Sequence, residues 1–139
     1  MKLGDLDKLE RFTPEALLFM RIVFGGLLVV NQGWPTLQQF LSGATEFPDP
    51  LHLGARTTMA LMVFTEFFCA SLVTIGLLTR LVAIPIAFGF TVAVFIHHWP
   101  DPWSYKELPS LYWASFIIIA ILGPGKYSLD EVLFRRKNP

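Results

Sequence analysis

The sequence predicts an all-α fold, a membrane four-helix bundle followed by a short C-terminal interfacial amphipathic helix. Of the 139 residues, 53% are hydrophobic and only 16% are charged, whereas soluble domains carry about 25% charged residues. The mean hydropathy is +0.52. Four apolar stretches recur along the chain, and such stretches of about 20 residues are typical of transmembrane helices. We therefore expect one membrane domain over residues 1–139.

The predicted spans cover approximately residues 14–32, 57–78, 81–98 and 108–122. The second stretch would extend about 33 Å as a helix, which matches a hydrocarbon core of about 30 Å. The short connection around Thr79 predicts that the second and third helices are antiparallel neighbours. The residues between the first two spans, 33–56, are expected to form a long loop.

The end of the chain carries clear stop and start signals. Gly123-Pro124-Gly125 ends the fourth helix. Ser128 and Glu131 have the spacing of a capping box, which predicts a helix over about residues 128–136. Its apolar face adjoins a basic cluster, so we expect this helix to lie on an anionic membrane surface.

Charge and cysteine content exclude several classes of function. The net charge is zero and there is one cysteine, so neither nucleic-acid binding nor an internal disulfide is expected. No motif for covalent cofactor attachment, nucleotide binding or metal binding is present. Basic residues outside the spans divide eight to two, which predicts an inner or cytoplasmic membrane with both termini in the cytoplasm. The eight are Lys2, Lys8, Arg11, Arg80, Lys126, Arg135, Arg136 and Lys137.

Two charged residues fall inside predicted spans. Arg21 and Glu66 have similar expected depths, and a lone charge there would cost several kcal/mol. They are therefore predicted to form an intramembrane polar pair, either as a structural ion pair or as a site for a ligand headgroup or a proton. Gln32 shares a stripe with Arg21, and Cys69 shares one with Glu66. Cys69 is expected to be a buried thiol.

A second candidate site lies at the outer face, where the third helix ends. His97, His98 and Asn31 are its polar residues, and no catalytic residue can be assigned among them. Adjacent histidines point about 100° apart on a helix, so they do not form a ready metal pair. They are either helix-end residues or haem or copper ligands that need a further ligand, such as His52 or Met62.

Several motifs together resemble the DoxX family of small four-helix membrane proteins. The resemblance covers about residues 14–134, with Gln32 and Thr36 standing where the family often has His and Lys. The matching pieces are Leu18-Phe19-Met20-Arg21, Gly25-Gly26, Gly33-Trp34-Pro35, Glu66, Gly76-Leu77-Leu78-Thr79-Arg80, and Gly123-Pro124-Gly125-Lys126-Tyr127-Ser128-Leu129-Asp130.

The resemblance implies a membrane subunit of a redox or respiratory assembly, because relatives include subunits of a thiosulfate:quinone oxidoreductase. It implies quinone as a ligand, expected between the first two helices, and other membrane subunits or further copies of the chain as partners. Two alternatives stay open, a non-enzymatic accessory or packing subunit and a small-molecule carrier. A carrier is disfavoured because one polar pair is little for a translocation path. The family's polar positions correspond here to Arg21, Glu66, Arg80 and Asp130.

Overall fold

A computed structural model describes residues 3–134. Four of the helices in this range are long and apolar enough to cross a membrane, and the range contains no β-strand. The prediction of an all-α membrane bundle is thus confirmed. The helices are α1 (Gly4–Leu41), α2 (Ala55–Ile75), α3 (Thr79–His97), α4 (Trp103–Leu122) and the short α5 (Leu129–Phe134).

The four long helices run up and down in turn, so the bundle has two ends. The terminal end carries the start of α1, the α2–α3 turn and the segment after α4. The loop end carries the α1–α2 loop (residues 42–54) and the α3–α4 loop (residues 98–102). Four of the eight basic residues counted above lie outside the described residues, namely Lys2, Arg135, Arg136 and Lys137.

Helix α1 is longer than the predicted span of residues 14–32, because it continues through Pro35 to Leu41. A proline within a helix removes one backbone hydrogen bond and crowds the preceding turn. Here the preceding turn is a wider π-helical turn over Val29–Gly33, and such a turn gives the ring room. The loop after α1 accordingly begins at residue 42.

Helices α1 and α2 pack closely at two glycines. A Cβ atom on Gly33 would clash with the backbone of Glu66, and one on Gly25 would clash with Thr74. Because lipid tails are as apolar as leucine, membrane helices associate mainly through such close van der Waals packing. The contacts fix the register of the pair, with Gly33 level with Glu66 and Gly25 level with Thr74.

The terminal end is closed by the residues after α4. Helix α2 ends at Gly76, whose φ of 78° requires glycine. The Asp130 carboxylate then accepts hydrogen bonds from the backbone N–H groups of Leu78 (2.7 Å) and Thr79 (3.0 Å). These bonds cap the start of α3 and dock the first turn of α5 on the α2–α3 turn.

The Ser128 half of the predicted capping box is present at the start of α5. The backbone N–H of Glu131 donates to the Ser128 hydroxyl at 3.2 Å. The apolar side chains of α5 remain between 39% and 52% exposed, as an interfacial helix requires. These side chains are Leu129, Val132, Leu133 and Phe134. The predicted residues 135 and 136 of this helix lie outside the described residues.

Candidate functional site

A cavity with a volume of about 680 Å³ lies between α2, α3 and α4. Its walls are mostly apolar, and its size lies within the range of about 300–1,000 Å³ that is usual for ligand pockets. The α1–α2 loop covers it at the loop end through Phe47, Pro48 and Leu51. Helix α1 contributes only Gln32.

The cavity forms because α2 packs on α1 along its whole length but packs closely on α3 only beyond its first half. That first half, Ala55–Val63, packs mainly on the last turns of α1, whereas the turn Phe64–Cys69 packs on both α1 and α3. The first half therefore leaves a gap toward α3 and α4. Pro85 of α3 and Pro109 of α4 both line this gap. Each proline leaves the carbonyl four residues earlier without its helical hydrogen bond.

Three polar side chains line the cavity toward the centre of the bundle. Glu66 is only 5% exposed, and its carboxyl group has no hydrogen-bond or ion-pair partner among the described residues 3–134. Tyr112 is also buried and lines the same cavity. Its ring stacks on Phe90, with the ring centroids 5.1 Å apart. Gln32 adds an amide that can both donate and accept a hydrogen bond.

The predicted pairing of Arg21 with Glu66 is wrong. Arg21 is buried at the terminal end, where its guanidinium donates to the carbonyls of Pro124 (2.9 Å) and Tyr127 (2.6 Å). The prediction placed Arg21 too deep because it counted depth from the assumed start of the first span. With Gly33 level with Glu66, twelve residues of helix put Arg21 about 18 Å away along the bundle.

The other predicted intramembrane positions separate as well. Gln32 lines the cavity beside Glu66, whereas Cys69 is buried in the apolar core of the bundle. The space expected between the first two helices is closed by the contacts at Gly25 and Gly33. The cavity lies instead on the other side of α2.

At the loop end, His97 and His98 both line the cavity, but Asn31 is exposed on α1 and does not. Nδ1 of His98 lies 2.9 Å from a carboxylate oxygen of Asp101. Within residues 3–134, no group of three or more His, Cys, Asp or Glu side chains is placed to hold a metal ion. His52 lies on the α1–α2 loop and is exposed.

The loop that covers the cavity is fixed by Asp49. Its carboxylate accepts hydrogen bonds from the Thr58 hydroxyl (2.7 Å) and from the backbone N–H groups of Leu53 (2.9 Å) and Gly54 (2.7 Å). These bonds, the one from Thr58 above all, hold the pKa of Asp49 below its ordinary value. On the α1 side, Arg56 donates to the Phe40 carbonyl at 2.9 Å.

Sequence reasoning missed Tyr112, Asp49 and the two cavity prolines. A proline inside a mostly apolar span is the available signal for Pro85 and Pro109. No sequence pattern marks Tyr112, since its burial depends on packing against α3.

Fold and site together define a small integral membrane protein, a four-helix bundle with a ligand-sized cavity toward the loop end. The sequence matches the DoxX family over residues 16–99. Since this match spans more than half of the chain, the protein belongs to the DoxX family. Searches among curated proteins and among solved structures give no match.

Proposed function

We propose that the protein is a membrane subunit of a redox or respiratory assembly and that its cavity binds a quinone. The observation that carries the proposal is the buried Glu66 carboxyl, which lines a mostly apolar cavity without a partner among residues 3–134. An unpartnered buried polar group is costly, so a ligand that hydrogen-bonds to it would be stabilised.

The chemistry of the cavity suits a flat ring with two carbonyl oxygens. Such oxygens accept hydrogen bonds, and the Gln32 amide and the Tyr112 hydroxyl can both donate. Glu66 adds an acceptor or, when protonated, a third donor. Apolar walls from α2, α3 and α4 would surround the rest of the ring. Family membership supports a membrane redox context.

The proposal includes a location and partners. Basic residues at the terminal end, among them Lys8, Arg11 and Arg80, favour an inner or cytoplasmic membrane with both termini in the cytoplasm. A quinone-binding subunit needs a donor or acceptor of electrons, so we propose other membrane subunits or further copies of this chain as partners.

Quinone bound to the purified protein tests the proposal directly. The full chain is purified from native membranes in mild detergent, and extracted quinone is quantified by mass spectrometry per mole of chain. We expect bound quinone in the wild type and a large loss in Glu66→Gln and Tyr112→Phe. Glu107→Gln is the matched control, because Glu107 is an exposed carboxylate of α4 that does not line the cavity.

Thermal unfolding of each variant separates loss of ligand from loss of fold. If the wild type carries no quinone and takes up none when it is added, the proposal is refuted. A well-folded chain without a ligand would then fit the alternative of an accessory or packing subunit.

A further inference from the structure

The cavity reaches the lipid-facing surface along the seam between α2 and α3. Phe64 of α2 and Phe88 of α3 both line the cavity, yet they are 51% and 63% exposed. A side chain that is exposed and also lines a cavity marks a place where the cavity meets the outside. In a membrane protein, the outside at this depth is hydrocarbon.

Gly89 lies on this seam and leaves it open. It lines the cavity, and a Cβ atom added to it would meet no atom within 4 Å. This differs from Gly25 and Gly33, where a neighbouring helix occupies the space of the missing side chain. A glycine inside a helix costs about 1 kcal/mol relative to alanine, and no close packing offsets that cost at Gly89.

Exposed side chains also line the cavity at the loop end, among them Leu53, Tyr105 and Leu108, but there the covering loop lies across it. The covering loop contributes several apolar side chains to the cavity, and Asp49 ties that loop to the start of α2 through three hydrogen bonds. The seam at Gly89 requires no such bond to break. An apolar tail that passes through the seam would stay in hydrocarbon, where apolar surface is more favourable than in water.

We infer that the cavity takes a molecule with a flat polar head and one apolar tail, which enters from the lipid between α2 and α3. The head lies against Glu66, and the tail leaves across Gly89 into the bilayer. Gly89 is thus a specificity-determining residue, because it makes room for the tail. This inference rests on the proposed function and adds the route by which the ligand enters and the requirement that the ligand carry an apolar tail.

Two benzoquinones with the same ring, one carrying a decyl chain and one without it, test the inference. Their affinities are measured for the full chain in phosphatidylcholine nanodiscs, for wild type, Gly89→Leu and Gly26→Leu. Gly26 is the matched control, because it is also a helical glycine whose Cβ would meet open space, but it does not line the cavity.

We expect Gly89→Leu to lower the affinity for the decyl compound at least about tenfold through steric overlap. The affinity for the tailless ring should change by less than about twofold. Gly26→Leu should leave both affinities within about twofold. Gly89→Ala, whose methyl group meets no neighbour, should give a smaller loss confined to the decyl compound. This second variant keeps the test valid if Gly89→Leu misfolds.

The outcomes separate the two proposals. If the wild type binds neither compound, the proposed function fails and the inference fails with it. If the wild type binds both and Gly89→Leu or Gly89→Ala leaves both affinities unchanged, or lowers both equally, only the lateral route is overturned.

Discussion

Arg21 and Glu66 should contribute independently to stability, although the sequence suggested that they act as a pair. The register of α1 on α2 separates them by about 18 Å along the bundle. Mutations more than about 7–10 Å apart without shared partners usually add within about 0.5 kcal/mol. We therefore expect Arg21→Met and Glu66→Gln to add in a double-mutant cycle of the free energy of unfolding.

The two single changes should differ in size. Arg21→Met keeps a long apolar side chain but removes two hydrogen bonds from a charged donor to the Pro124 and Tyr127 carbonyls. Each such bond contributes about 1.5–3 kcal/mol, so a loss of about 3–6 kcal/mol is expected for the two bonds. Glu66→Gln preserves side-chain size and breaks no bond within residues 3–134, so its effect on stability should be small.

Coupling should appear instead between Arg21 and the segment after α4. Asp130 fastens to the α2–α3 turn the same segment that supplies the two carbonyls bound by Arg21. Residues that share one network couple by about 0.5–3 kcal/mol, so Arg21→Met and Asp130→Asn should not add. Unfolding in detergent with increasing dodecyl sulfate, followed by tryptophan fluorescence, measures both cycles. Strong coupling of Arg21 to Glu66, or strict additivity with Asp130, would refute this reasoning.

Two further predictions concern the loop end. Because the folded pKa of Asp49 is depressed, its hydrogen bonds stabilise the covering loop above the ordinary pKa of 3.8 and are lost as the pH falls through the lower folded value. Proteolysis of residues 42–54 should therefore rise on acidification in the wild type, and Asp49→Asn should remove that pH dependence; a wild-type profile as flat as that of the variant would contradict the prediction. Topology is tested in intact cells with an impermeant thiol reagent and a Cys69→Ser background. The reagent should label Ser42→Cys and should not label a cysteine added at the C-terminus. The reverse pattern would overturn the proposed orientation.

The sequence was sufficient for the number of membrane helices and for the start of α5. Long apolar runs identify membrane helices directly, because every helix that spans the bilayer must be apolar and about as long as the hydrocarbon core is thick. The capping box at Ser128 is equally local, since it depends on residues three positions apart. Features set by the solvent or by nearest neighbours along the chain were therefore predictable.

The candidate site was less predictable because it depends on the register between α1 and α2 and on the gap between α2 and α3. The pairing of Arg21 with Glu66 counted the depth of Arg21 from an assumed span start near residue 14, yet the structure places Arg21 at the terminal end of the bundle. The steric contact of Gly33 with the Glu66 backbone then fixes a register that spacing alone does not show. The gap between α2 and α3 likewise arises only when three helices are placed together.

The placement of Arg21 has a consequence for the biosynthesis of this protein. The two carbonyls that it needs lie 103 and 106 residues later in the chain. At about 5–20 residues per second, the ribosome delivers them roughly 5–20 seconds after Arg21 itself. Throughout that interval the guanidinium must stay in contact with water or lipid headgroups. The nascent bundle is therefore unfinished at its terminal end until the segment after α4 has been synthesised, and a chain that stops before Pro124 leaves the Arg21 guanidinium without its two acceptors.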